Sequence, residues 1–155
     1  MQQDNRLTLP EPDALSAEHS ERVNDFIRGR IRQAGGSISF AEYMQYALYA
    51  PGLGYYVAGS TKFGANGDFM TAPEVSSIFG RVLGRQCAEV LSQVIGGSIL
   101  EFGAGSGKLA VDILRLLDGL DSLPEHYKIL EVSGDLQKRQ AEYLEEQLPW
   151  LVSRV

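Results

Sequence analysis

Glu101, Phe102, Gly103, Ala104, Gly105, Ser106 and Gly107 follow one another where a short apolar run gives way to a helical pattern. Glycines at alternate positions let the backbone turn tightly and admit a ligand with no Cβ in the way, and a helix start offers amides that lack intrahelical partners. A second acid, Glu131, followed by Val132, closes the next apolar run and would lie at the carboxyl edge of a strand beside this turn. A carboxylate there can accept hydrogen bonds from both hydroxyls of a ribose. These nine residues form the candidate cofactor site.

Spacing separates the nucleotide-type ligands. A phosphate-binding loop needs a glycine where Phe102 stands and a hydroxyl residue where Leu109 stands, so that reading fails twice. A dinucleotide fingerprint puts its third glycine at Lys108 instead of Gly107, which weakens NAD or FAD without eliminating them, since that position varies. The pattern acid-x-Gly-x-Gly-x-Gly suits a ligand without a pyrophosphate. Glu101 can attract a cationic amino-acid moiety, which S-adenosyl-L-methionine carries, although the ribose preference of Glu131 is shared with NAD.

The elements that must hold these residues are a strand at 98–102, a helix with Leu109, Ile113, Leu116 and Leu117 on one face, and a strand at 127–132. Together they make one βαβ unit, with parallel strands expected to be buried. A further helix is expected over 136–148. Ahead of the unit, Val23, Phe26, Ile27 and Ile31 recur at helical spacing, and Ser39 with Glu42 has the spacing of a capping box. Pro51 to Glu74 is glycine-rich and irregular, long enough to suggest a functional loop with a hairpin. A long helix from Val75 to Val94 follows, with Gly80 and Gly84 on adjacent turns for close packing. The expected organisation is an arm at 1–15, a helical and loop region at 16–97, and the start of a ligand-binding α/β domain at 98–155.

Composition narrows the function classes. The 155 residues carry 20 Asp plus Glu against 14 Lys plus Arg, a formal charge of −6, which argues against gripping a phosphate backbone. One cysteine, Cys87, excludes an intrachain disulfide, a Cys-rich zinc site and a CxxC redox pair. His19 and His126 lack metal-ligand spacing and read as surface residues, so no metal is expected. No run approaches the roughly 18 apolar residues of a membrane span. The acidic N-terminus resembles neither a secretory leader nor a transit peptide, and the expected location is cytoplasmic.

A longer set of motifs resembles a known family. Leu48, Tyr49, Ala50, Pro51, Gly52, Leu53, Gly54, Tyr55 and Tyr56 form one; Gly67, Asp68, Phe69, Met70, Thr71, Ala72, Pro73 and Glu74 form another. With the glycine turn and Glu131, they make the chain similar, from about residue 20 onward, to the N-terminal portion of the MidA-like class I S-adenosylmethionine-dependent methyltransferases. That family includes a mitochondrial complex I assembly arginine methyltransferase. The resemblance implies a Rossmann-like three-layer α/β sandwich preceded by a mainly helical subdomain, and methyl transfer to a protein side chain, most readily an arginine guanidinium. It also implies a protein substrate such as a respiratory-complex subunit, with the segment at 64–76 folded over the cofactor. Family members are about twice this length or more, so the sequence reads as an incomplete portion lacking the adenine-contacting loop and further strands.

If the acceptor is a guanidinium, carboxylates should orient it and help remove its proton, and Asp68 and Glu74 are the catalytic candidates. Their structural alternatives are a turn at Asp68 and a capping box between Thr71 and Glu74. The tyrosines at 43, 46, 49, 55 and 56 read as aromatic packing before an acceptor pocket. Two other functions stay open: a non-catalytic binding or assembly module, and an NAD-dependent oxidoreductase.

Overall fold

Four helices begin where a short polar side chain takes an otherwise unpaired backbone amide. Asp13 accepts from the Ser16 amide at 2.9 Å, Ser39 from Glu42 at 3.2 Å, Ser76 from Ile78 at 3.1 Å and Ser133 from Leu136 at 3.3 Å. In the computed structural model, which describes residues 11–58 and 70–155, the elements are α1 (Ala14–Gln33), α2 (Phe40–Tyr49), α3 (Ala72–Val75), α4 (Ser77–Leu91), β1 (Ile99–Phe102), α5 (Lys108–Gly119), β2 (Tyr127–Leu130), α6 (Gly134–Gln147) and a final 3-10 turn (Val152–Arg154). The chain divides into two units, one reaching to Tyr55 and one starting at Tyr56.

In the first unit α1 packs on α2. The Phe26 ring meets the edge of Tyr46 at 5.7 Å, and the Arg30 guanidinium lies 5.2 Å and 5.5 Å from the two ring centres. The Ser39–Glu42 capping box forms in full. After α2 the chain folds back on the helix end: the Gly54 amide donates to the Ala50 carbonyl at 2.7 Å, and a Cβ at Gly54 would lie 2.4 to 2.6 Å from backbone atoms of Leu48, Tyr49 and Ala50. His19 lies half-buried at the surface and is hydrogen-bonded. Its Nε2 donates to the Leu53 carbonyl at 2.9 Å, and since a carbonyl can only accept, Nε2 carries the proton.

The second unit is built on β1 and β2, which are parallel with Ile99 opposite Tyr127 and Phe102 opposite Leu130. Val111, Ile113, Leu114 and Leu117 of α5 join Tyr127, Leu144, Leu148 and Leu151 in its core. Gly80 and Gly84 let α4 lie directly on α5, because a Cβ at Gly80 would come 2.5 Å from Asp112 Cβ and one at Gly84 would come 2.8 Å from Leu116 Cδ2. The long helix expected from Val75 is interrupted: Ser76 is extended, at φ −160°, and separates α3 from α4.

The strands are not buried on both faces as expected. Ile99 and Ile129 pack on the core, whereas Leu100, Phe102 and Leu130 on the opposite face are exposed. A parallel sheet needs cover on both sides, and among the described residues helices cover one.

Candidate functional site

The glycine turn is built on three left-handed residues, with φ of +66° at Gly103, +56° at Gly105 and +83° at Gly107. Side-chain-bearing residues are strained in that region, so backbone conformation alone demands glycine at each. The Gly103 amide donates to the Leu130 carbonyl at 2.9 Å, joining the turn to the end of β2, and the Gly107 amide closes the turn on Ala104 at 2.8 Å. Ala104 is buried beneath it. Among the described residues, a Cβ at Gly103 would meet no atom within 4 Å.

Lys108 does not project freely from the first turn of α5. Its Nζ pairs with Asp112 at 2.7 Å, and Asp112 is buried beside Gly80. The pair offsets what would otherwise be an uncompensated buried charge at the α4–α5 contact.

Two acids stand at the carboxyl ends of the strands in different electrostatic surroundings. Glu101 Oε2 accepts from the Tyr127 hydroxyl at 2.8 Å. Burial pushes the Glu101 carboxyl above its ordinary range, opposed by that hydrogen bond. Burial, followed by the Glu101 charge and the shared hydrogen bond, pushes the Tyr127 hydroxyl up as well. Glu131 is held by amides of its own turn: Oε1 accepts from Val132 at 2.8 Å and Ser133 at 2.9 Å. Its Oε2 lies 3.3 Å from Gln140 Nε2, which also donates to the Gly105 carbonyl at 2.9 Å.

Gln140 was missed in the sequence. The signal was there, since a glutamine stands between Leu136 and Leu144 at helical spacing, and all three are buried. A polar residue in an apolar stripe needs a buried partner.

The capping box that was the structural alternative for Glu74 does not form. Thr71 caps α3 without a side-chain hydrogen bond, and the Glu74 carboxylate instead accepts from Ser106 Oγ at 2.5 Å. This joins the Thr71–Glu74 motif to the glycine turn. Asp68 lies outside the described residues. Phe102 and Val132 expose apolar side chains next to the turn. Of the tyrosines, Tyr46 packs against Phe26, while Tyr43 and Tyr55 line a cleft of about 420 Å³ in the first unit with His19, Ile27 and Leu53. Cys87 is half-buried against the second core, and desolvation pushes its thiol up.

A family of S-adenosyl-L-methionine-dependent methyltransferases matches residues 82–155. The mitochondrial protein arginine methyltransferase NDUFAF7 of Danio rerio is 44% identical over 118 residues, covering 72% of this chain and 28% of the relative. The mitochondrial NDUFAF7 homolog of Caenorhabditis elegans is 31% identical over 150 residues, covering 93% of this chain and 35% of the relative. Among solved structures, a COG1565 superfamily member from Burkholderia thailandensis bound to S-adenosyl-homocysteine matches with a TM-score of 0.84 at 42% identity, over 96% of this chain and 39% of that one. The chain thus spans between about a quarter and two-fifths of the length of these relatives. The likeness supports the Rossmann-like α/β reading of the second unit.

The cytoplasmic expectation is overturned by the comparisons, because the curated relatives are mitochondrial proteins. Addresses are carried by segments that receptors read, not by bulk charge and hydropathy. Among the described residues no helix is long and apolar enough to cross a membrane.

Proposed function

From the premise that this chain belongs to the MidA-like S-adenosylmethionine-dependent methyltransferase family, we propose that it forms the cofactor-holding part of an enzyme that methylates a protein side chain, an arginine guanidinium. The observation that carries this reading is the left-handed glycine turn flanked by Glu101 and Glu131, at the ends of two parallel strands, with Glu74 hydrogen-bonded to its Ser106. S-adenosylmethionine fits this donor and acceptor set. Glu101 is suited to the ammonium of its methionine end, Glu131 to its ribose, and the Gly103–Gly107 backbone to close approach between them.

When bound, this cofactor supplies a methyl group already activated by sulfonium. The protein's contribution is then alignment, an effect worth several kcal/mol in well-oriented reactions. Glu74 is placed to orient a guanidinium beside the turn and to receive its proton, and Asp68 joins it in the proposal on its sequence position alone. A respiratory-complex subunit is the acceptor class that the NDUFAF7 resemblance suggests.

Calorimetric titration with S-adenosylhomocysteine, with NADH as the control, tests the cofactor. Saturable binding of the first alone is expected, and it should be abolished by Gly105→Val, which forces a branched side chain to φ +56°. Preference for NADH would overturn the reading.

A further inference from the structure

We propose that Gln140 is a positioning residue that locks the carboxylate of Glu131 to the glycine turn, so that the ribose acceptor and the turn are held as one rigid cradle. The proposal rests on the cofactor reading above and concerns a residue outside the glycine motif and the strand-end acid. Gln140 is 3% exposed, and its one nitrogen serves both halves of the site, donating to Gly105 O at 2.9 Å and lying 3.3 Å from Glu131 Oε2. Helix α6 is seated on the turn itself, since a Cβ at Gly107 would touch Gln140 Cα and Cγ at 3.7 Å.

The chemistry of the side chain suits this position. A primary amide nitrogen carries two hydrogens, one for a carbonyl and one for a carboxylate, without adding charge. A glutamate here would repel Glu131, and an apolar side chain would leave the Gly105 carbonyl short of a partner. The Gln137 amide adds a second tether from the same helix, donating to the Glu131 carbonyl at 2.6 Å.

The arrangement also sets how Glu131 can meet a ribose. A carboxylate has about four lone-pair positions. Among the described residues, the Val132 and Ser133 amides occupy positions on Oε1 and Gln140 takes one on Oε2, so Oε2 is the oxygen turned to a ribose. Gln140 thus fixes the direction from which a ribose hydroxyl can reach the Glu131 carboxylate.

The test is calorimetric titration of the wild-type chain, Gln140→Met and Glu131→Gln with S-adenosylhomocysteine and with its 2′,3′-dideoxyribose analogue. Gln140→Met keeps the length and packing of the side chain but removes both donors. We expect it to weaken S-adenosylhomocysteine about tenfold and the analogue, which still rests on the untethered turn, several-fold less, and its ribose-specific part to add little on top of Glu131→Gln. Equal losses on both ligands would mean a structural role only and would overturn the proposal. Gln140→Glu, which keeps the size and reverses the hydrogen-bonding sense, is the second variant and should lose more than Gln140→Met, again selectively for the ribose ligand. A wild-type chain that takes up neither ligand would overturn the cofactor reading, and the role of Gln140 with it.

Discussion

The Ser106 hydroxyl donates to the Glu74 carboxylate, so a residue of the four-residue helix α3 is anchored on the glycine turn, 32 positions away in sequence. The two halves of this contact have separable consequences. Glu74→Gln retains an acceptor for Ser106 but loses the charge. It should leave S-adenosylhomocysteine affinity within about twofold and lower methyl transfer to an arginine peptide by about a hundredfold or more, the usual scale for removing a proton acceptor. Glu74→Ala should lower both. Labelled methyl transfer measured beside calorimetry distinguishes the variants, and unchanged transfer in Glu74→Gln would remove Glu74 from the chemistry.

On the proposed cofactor reading, Glu101 should make binding pH-dependent. Its ionised form is the one that attracts an ammonium, and burial raises its pKa above the ordinary value of 4.5, so affinity should fall on acidification at a pH higher than a solvated glutamate would produce. The stability effect has the opposite sign. A carboxyl whose folded pKa is raised holds its proton more tightly when folded, so its stabilising contribution is complete below 4.5 and is lost as pH rises through the raised value. Glu101→Gln should flatten both profiles, as read by titration calorimetry and by denaturant midpoints across the same pH range.

The α4–α5 contact predicts a graded response to added side-chain volume. Gly80→Val must displace Asp112 at its Cβ, which cannot rotate away, and should cost about 1–3 kcal/mol or more. Gly84→Ala meets the flexible end of Leu116 and should cost less. Thermal unfolding of the two variants checks the order, and an equal or reversed effect would contradict the packing described.

Gly54→Ala should act on the first unit. Its Cβ would run into backbone at the end of α2, which has no rotamer to yield, so the turn that presents the Leu53 carbonyl to His19 should open. Hydrogen exchange resolved by segment should show lost protection at the end of α2 and at the Gly54 and Tyr55 amides, with α5 and the strands unchanged.

The sequence by itself determined the features that depend on neighbours a few residues apart. The Ser39–Glu42 box, the left-handed glycines at 103, 105 and 107, the close-packing glycines of α4 and the parallel βαβ unit were all legible, because caps, turns and periodic stripes are written in local spacing. Local spacing also misled. Thr71 and Glu74 have the interval of a capping box, but Glu74 found Ser106 instead. The bridge from Gln140 to Gly105 and Glu131 joins residues 35 and 9 positions apart, and only the packing of α6 against the turn creates it. Which buried polar group finds which partner is decided by tertiary structure, because the cost of leaving such a group unpaired is settled among whatever side chains the fold brings within hydrogen-bond reach.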